Sequence, residues 1–272
     1  MKVVEMNFSV VLVGAGNMGG AMLKGWLANG INPSSVTVLD PSPSDQMKSM
    51  LIKSRITHTE NSGGVSPPDV LLLAVKPQMM GQVLPSLTEL IEEQTVVVSV
   101  AAGTTLSTIC NALGDIAVIR VMPNTPSLVL RGMSVGCSNK KTSQKQRNNV
   151  HKLMEAIGKI EWVEDEKLID AVTAVSGSGP AYVFHLAECM AEAGKLAGLS
   201  NELAMTLAIE TVSGAGELLR QSEDTPATLR KNVTSPNGTT AAALEVLMGE
   251  GGMPDLLKKA IMAAKKRSEE LS

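Results

Sequence analysis

Between Phe8 and Val121 the chain repeatedly gathers short apolar runs: FSVVLV (Phe8–Val13), VTVLD (Val36–Asp40), VLLLAV (Val70–Val75), TVVVSVAA (Thr95–Ala102) and IAVIRV (Ile116–Val121). Continuous runs of this length, rich in β-branched residues, suit strands buried on both faces, as in a parallel sheet covered by helices. The segments between them, such as Met18–Asn29, supply helical crossovers. Beyond Trp162 the period changes. Helical spacing prevails over Pro180–Leu199, Glu202–Leu219, Thr239–Met248 and Pro254–Arg267, and no strand-like run follows. The pattern predicts an α/β chain: a doubly wound sheet domain over residues 1–163, then an all-α domain over residues 164–272.

Two positions in the helical half run against local propensity. Gly214 and Gly216 fall inside a helical pattern, where each costs about 1 kcal/mol relative to Ala. Close approach by another helix explains them, either within the chain or across a helix-swapped homodimer.

Composition narrows the possibilities. Of 272 residues, 44% are hydrophobic, enough for one large or two modest cores. Aromatics make up only 2% and the net charge is −3, so neither base stacking nor an electrostatic footprint for nucleic acid or an anionic membrane is expected. The core is aliphatic, with sixteen methionines to fill gaps. Three scattered cysteines without CxxC spacing argue against a disulfide framework or zinc site and for a reducing cytoplasm. The start, MKVVEMNFSVVLVGAG, lacks a signal-peptide pattern and leads straight into the first strand. The charge-free stretch Ala171–Ala187 contains Ser-Gly-Ser-Gly-Pro and is rejected as a membrane span.

Gly14-Ala15-Gly16-Asn17-Met18-Gly19 is a GxGxxG between a strand and a helix. In that context Gly14 permits the tight turn, Gly16 admits a pyrophosphate to the backbone, and Gly19 allows close helix–strand packing. This gives the first domain a Rossmann-type, dinucleotide-binding character. The next strand ends at Asp40, at the roughly 20-residue spacing of a carboxylate that accepts ribose hydroxyls. With Ser42 and Ser44 but no arginine in that span, Asp40 favours NAD(H) over NADP(H). Alternatively it caps the turn before Pro41. Lys76, at the carboxyl end of another strand, is held extended by Pro77, and SVAAG (Ser99–Gly103) ends a strand in small residues against which a flat ring can lie.

A dinucleotide implies hydride transfer, yet acid–base groups are scarce. His58, His151 and His185 sit in unpromising contexts, no carboxylate pair or metal-ligand spacing stands out, and no metal is predicted. Reducing a ketone needs a proton donor, whereas a protonated imine becomes an amine with no such need. The turn NVTSPNGTTAAAL then draws interest: hydroxyls, an amide and a glycine crowd one helix start. Its N–H groups can hold a carboxylate while a threonine hydroxyl reaches a nitrogen.

Taken together, VGAGNMGGAML, LLLAVKPQ, VVSVAAG, RVMPNTP, AVSGSGPAY and NVTSPNGTTAAAL resemble the pyrroline-5-carboxylate reductase family, in order along essentially the whole chain. The resemblance implies a Rossmann domain followed by a helical dimerisation domain. It implies reduction of 1-pyrroline-5-carboxylate to L-proline by NADPH or NADH. It also implies substrate binding by Glu223, Ser235, Gly238, Thr239 and Thr240, with the Thr240 hydroxyl, the catalytic candidate, on the ring nitrogen. On the cofactor side it matches Val13, Gly14, Ala15, Gly16, Asn17, Met18, Gly19, Asn61, Ala74, Val75, Lys76, Pro77, Val100, Ala101, Ala102 and Asn232, to which the strand-end reading adds Asp40. An interlocked homodimer, assembled further into a ring, is also implied, with Ser176–Pro180 starting its long helix. The chain departs from the family at Asp40-Pro41, where hydroxyl or basic residues often stand, and at Asn237 and Thr239, where small ones do.

Two other readings use the same plan. A β-hydroxyacid dehydrogenase of the 6-phosphogluconate type carries a lysine a turn into the long helix, whereas here none occurs before Lys195. A non-catalytic dinucleotide sensor or pyridoxal-phosphate-type binding protein has no use for the second polar turn.

Overall fold

The computed structural model describes residues 6–271. The expected lead into the first strand therefore lies in part, at residues 1–5, outside the described residues. Contacts divide the chain into two compact units, one of residues 1–177 with 265–272, the other Ser178–Ala264. The division lies later than the pattern change near Trp162, because Ile169, in the helix that follows, is fully buried with Val135 and Cys137 of the sheet.

The first unit is an eight-stranded sheet in the order β3-β2-β1-β4-β5-β6-β7-β8. Its strands are β1 (Val10–Val13), β2 (Val36–Leu39), β3 (Thr57–Thr59), β4 (Val70–Leu73), β5 (Val96–Ser99), β6 (Ala117–Met122), β7 (Gly132–Ser138) and β8 (Gly158–Trp162). The five apolar runs all become strands. They are apolar throughout because both faces are covered: Val10, Leu12, Val70 and Leu72 join one core, and Val11, Val13, Leu71 and Leu73 the other. Burying each such side chain stabilises the fold by about 1.5–3 kcal/mol.

Three strands escape the apolar pattern. β3 reads THT and lies at one edge, β8 reads GKIEW at the other, and β7 is diluted by glycine and serine. The sheet is also not wholly parallel. β7 runs antiparallel to β6, because the connection is a short 3-10 turn, Thr125–Val129, too brief for a crossover helix.

The helices of this unit are α1 (Asn17–Ala28), α2 (Asp45–Ser54), α3 (Met80–Val83), α4 (Leu106–Leu113), α5 (Gln144–Glu155) and α6 (Leu168–Val172). α1 lies wholly in the core at Trp26, whose indole N–H donates to the Leu153 carbonyl at 2.9 Å and thereby joins α1 to α5. A π-type turn, Thr173–Gly177, follows α6.

The second unit is helical: α7 (Gly179–Leu196), α8 (Asn201–Gln221), α9 (Pro226–Asn232), α10 (Thr239–Met248) and most of α11 (Met253–Leu271). The short α9 escaped the periodicity; a Thr225 cap and Pro226 start it. α7 and α8 pack through small residues, with Ala191, Ala204 and Ala208 buried. Gly214 and Gly216 lie on α8, and a Cβ added at either meets nothing within 4 Å. The close helix approach expected at these glycines is therefore not made by any of the described residues of this chain. Much of α7 and α8 is exposed and apolar, including Val183, Phe184, Leu203, Leu207 and Ile209. Among the described residues no helix is long and apolar enough to cross a membrane.

Candidate active site

The carboxyl ends of β3, β2, β1, β4 and β5 lie side by side, and the cofactor candidates of the first unit gather there. Parallel strands with this order place a crevice between the ends of β1 and β4, where the connections diverge. Val13 is the buried last residue of β1. Gly14 follows at φ +88°, its N–H donating to the Leu39 carbonyl at 2.9 Å, while the Ala74 N–H donates to the Val13 carbonyl at 2.8 Å. The turn is thus fastened to both neighbouring strands.

The three motif glycines serve different ends. A Cβ on Gly14 would lie 2.9 Å from Val75 Cγ1, in a backbone conformation that side chains rarely adopt. One on Gly19 would lie 2.1 Å from the Gly14 carbonyl oxygen. Gly16 is unlike them: its φ is −69° and an added Cβ meets nothing within 4 Å. The chain itself requires Gly14 and Gly19, while Gly16 keeps space open. Gly16 is also the N-cap of α1, and no side chain caps it. By contrast α2, α4, α5, α8 and α9 begin with capping hydroxyls from Ser44, Thr105, Ser143, Ser200 and Thr225. The free N–H groups at Asn17 and Met18 and the positive end of α1 suit a pyrophosphate.

Asp40 is engaged by the protein itself. Its Oδ2 accepts the Ala15 N–H at 2.7 Å and its Oδ1 the Ser42 N–H at 2.9 Å. The carboxylate joins the glycine turn to its own turn, so a turn-capping role is present alongside any ribose contact. Beside it opens a cavity of about 640 Å³ between α1 and α2. Two residues absent from the sequence reading, Lys24 and Lys53, line it. Lys24 follows Gly16 and Gly20 at helical spacing along one stripe of α1, a signal that was available in the sequence.

On the other side of the crevice Lys76 is extended, at φ −65° and ψ 145°, as the proline after it requires. Pro77 opens a 3-10 turn. The Val100 N–H donates to the Leu73 carbonyl at 3.1 Å, and that of Ala101 to Ser99 Oγ at 3.3 Å. Val100, Ala101 and Ala102 thus form a bound, small-residue turn. Asn61 holds its own loop, its Oδ1 accepting the Gly63 N–H at 3.1 Å. An open Gly16, an uncapped α1 and an adjoining cavity fit a dinucleotide.

The remaining candidates lie in the second unit. Glu223 precedes α9 and Asn232 ends it, both exposed. Asn232, expected on the cofactor side, shares this unit with the substrate candidates. Ser235, Gly238, Thr239 and Thr240 form one turn: the Gly238 N–H donates to the Ser235 carbonyl at 3.1 Å, and Asn237 takes the left-handed φ of 57°. An Asn tolerates that conformation better than most side chains. Gly238 is the N-cap of α10 and, again, no side chain caps it. Despite three nearby hydroxyls, no side-chain oxygen caps the first N–H groups of α10. Two motifs of the first unit act structurally. Asn124 of RVMPNTP donates to the Ser176 carbonyl at 3.2 Å and accepts the Met133 N–H at 2.8 Å, joining that loop to AVSGSGPAY. Among the described residues no group of three His, Cys, Asp or Glu side chains is arranged to hold a metal ion.

The model of the pyrroline-5-carboxylate reductase dimerisation family matches residues 166–271, and that of coenzyme F420-dependent NADP oxidoreductases matches residues 9–103. A pyrroline-5-carboxylate reductase of Pseudomonas aeruginosa is 39% identical, over 97% of this chain and 96% of its own. The structure of such a reductase from Coxiella burnetii superposes with a TM-score of 0.91 at 35% identity, covering 97% of this chain and 98% of that one. A Plasmodium falciparum pyrroline carboxylate reductase, solved with NADP bound, gives 0.82 at 28% identity over 98% and 99%.

Proposed function

Because this chain belongs to the pyrroline-5-carboxylate reductase family, we propose that it reduces 1-pyrroline-5-carboxylate to L-proline with NAD(P)H, the last step of proline biosynthesis. The observation that carries the reading is the pairing of two uncapped glycine helix starts, Gly16 at α1 and Gly238 at α10, in a chain that caps five other helices with hydroxyls. Each leaves backbone donors for an anion. The first suits a pyrophosphate and the second the substrate carboxylate.

In this reading Val13–Gly19 and Asn61 hold the dinucleotide, and Ala74–Pro77 with Val100–Ala102 border its nicotinamide. Asn232 is kept as a cofactor contact. When bound, NAD(P)H supplies the hydride that the imine carbon receives. Ser235 and the Thr239 and Thr240 N–H groups orient the substrate through its carboxylate, and Glu223 lines the same pocket. The Thr240 hydroxyl hydrogen-bonds the ring nitrogen. That nitrogen enters protonated and leaves as an amine, so no strong acid is needed beside it. The scarcity of histidines and carboxylate pairs is thereby accounted for.

The chain forms a homo-oligomer through its dimerisation domain. We assign the partner helix to the open side of Gly214 and Gly216, and the exposed apolar face of α7 and α8 to the same interface. Assembly of dimers into a ring, and a reducing cytoplasmic setting for three free cysteines, complete the reading. The β-hydroxyacid dehydrogenase alternative lacks its lysine: Lys195 sits in the last turn of α7, paired with Glu192. The test is oxidation of NADH and NADPH, in parallel, with 1-pyrroline-5-carboxylate. Turnover is expected; a folded protein that binds a nicotinamide cofactor yet turns over neither would defeat the reading.

A further inference from the structure

Helix α11 belongs to the second unit as far as Ala264 and to the first from Lys265 on. In that last stretch Ser268 is the one buried residue of the helix among those described. Its hydroxyl donates to Asp170 Oδ1 of α6 at 2.7 Å, a charge-assisted bond that fixes where the helix end lies. Asp170 stands four positions after Glu166, whose Oε1 accepts the Leu106 N–H at 2.9 Å. Between them Ile169 is fully buried with Val135 and Cys137 of the sheet. One short, anchored segment thus supplies carboxylates to two neighbours, the start of α4 and the last turn of α11.

These two neighbours flank the turn of residues 100–103, which follows β5. Gly103 has a left-handed φ of +73°, and the Leu271 carbonyl oxygen takes the place of its Cβ, 2.6 Å from where that atom would be. Residue 103 is therefore glycine on two counts. The inner side of the turn is bonded to β4 and β5, through the Val100 N–H on the Leu73 carbonyl and the Ala101 N–H on Ser99 Oγ. Its outer side meets the backbone of α11. A turn of alanines and glycine has little side-chain packing of its own, so these backbone neighbours set its position.

We propose that Ser268 and Asp170 are positioning residues for the nicotinamide. They hold the end of α11 so that the Leu271 backbone braces the turn of residues 100–103, against which the ring lies. The inference rests on the reading of that turn as the border of the nicotinamide. It gives the last turn of α11 a part in the first unit, distinct from the helical unit's part in dimerisation. A misplacement of about 1 Å in such a support can cost about a hundredfold in rate.

The test uses the full chain carrying Ser268→Ala and, separately, Gly103→Ala. Without ligand, hydrogen exchange at the Val100 and Ala101 amides should rise about tenfold or more in Ser268→Ala, with β1 and β4 unchanged. Calorimetric titration with NADP⁺ and NAD⁺ should show binding about three- to tenfold weaker in Ser268→Ala, and weaker still in Gly103→Ala. The fragments 2′,5′-ADP and 5′-AMP carry no nicotinamide and should bind as they do to the parent. Ser268→Thr keeps the hydroxyl and should restore both exchange and binding. Unchanged exchange in Ser268→Ala overturns the proposal. So does a loss shared equally by dinucleotides and fragments, which would make the bond a general brace of the unit. Neither readout involves substrate. A parent that turns over 1-pyrroline-5-carboxylate, matched by Ser268→Ala in exchange and binding, defeats this inference and leaves the enzymatic reading standing.

Discussion

The backbone N–H of Ala15 donates to Oδ2 of Asp40 across 2.7 Å. This one bond joins the middle of the glycine turn to the end of the neighbouring strand, and it changes what removal of the carboxylate is expected to do. A hydrogen bond to a charged acceptor contributes about 1.5–3 kcal/mol, and at a half-exposed site the lower end applies. Asp40→Ala should lower the melting temperature by about 2–4 °C per kcal/mol lost in a chain of this size. It should also weaken NADH and NADPH binding together, through the loosened turn. Asp40→Asn keeps one acceptor and should recover part of both losses. Calorimetry and fluorescence titration check this; a change confined to the NADH-to-NADPH ratio would instead make Asp40 a ribose receptor.

The three motif glycines should respond differently to alanine. Gly19→Ala brings a Cβ to 2.1 Å from a backbone oxygen, so the turn must move. A loss of at least about 2 kcal/mol is expected. Gly16→Ala meets no protein atom and keeps an ordinary φ. It should fold with a melting temperature within about 1–2 °C of the parent, yet bind either cofactor far more weakly. Thermal melts beside cofactor titrations distinguish the two.

Thr240→Ala should leave cofactor affinity nearly intact and lower kcat by about ten- to a hundredfold, equivalent to about 1.4–2.7 kcal/mol. Thr240→Ser restores a hydroxyl and should recover much of the rate. Steady-state kinetics with 1-pyrroline-5-carboxylate decide the matter, and unchanged turnover in the alanine variant removes Thr240 from the mechanism.

Arg120 is 3% exposed and donates to Glu166 Oε1 at 3.0 Å, the same oxygen that accepts the Leu106 N–H at the start of α4. Its other amino group, Nη2, is buried without a partner. Glu166→Ala would strand a buried cation and should destabilise the protein by about 3–5 kcal/mol. Arg120→Met with Glu166→Leu should recover part of that loss. Denaturant titration of the single and double variants measures the coupling.

Burial raises the pKa of Cys137 above the ordinary 9.0, with Glu166 and Glu164 adding to the rise and Arg120 opposing it. The unfolded chain therefore releases this proton first as pH climbs. The stability due to the neutral thiol is intact below about pH 9 and is lost above it. Cys137→Ala should flatten the decline of melting temperature above about pH 9 relative to the parent. Identical slopes would place the alkaline loss elsewhere.

What the sequence determined by itself follows from short-range physics. Five apolar runs became five strands because buried strands must be apolar on both faces, and GxGxxG read correctly because a strand–turn–helix needs Gly14 and Gly19 for reasons internal to that turn. The polar start of α10 was legible for the same reason. β3, β7 and β8 were not, because at the edges of a sheet or beside a connecting turn the strand condition is met by partners and not by composition. At Asp40 the sequence left two roles open, ribose acceptor and turn cap, and only the fold shows the Ala15 and Ser42 N–H groups donating to it, so that the cap is present whether or not a ribose also binds. The meaning of Gly214 and Gly216 turned on the same kind of fact, since only the fold shows that among the described residues nothing fills the space beside them. Lys24 and Lys53 stand 29 positions apart in the chain, and only the packing of α1 beside α2 makes them walls of one cavity, because charge acts through space and takes no account of sequence distance.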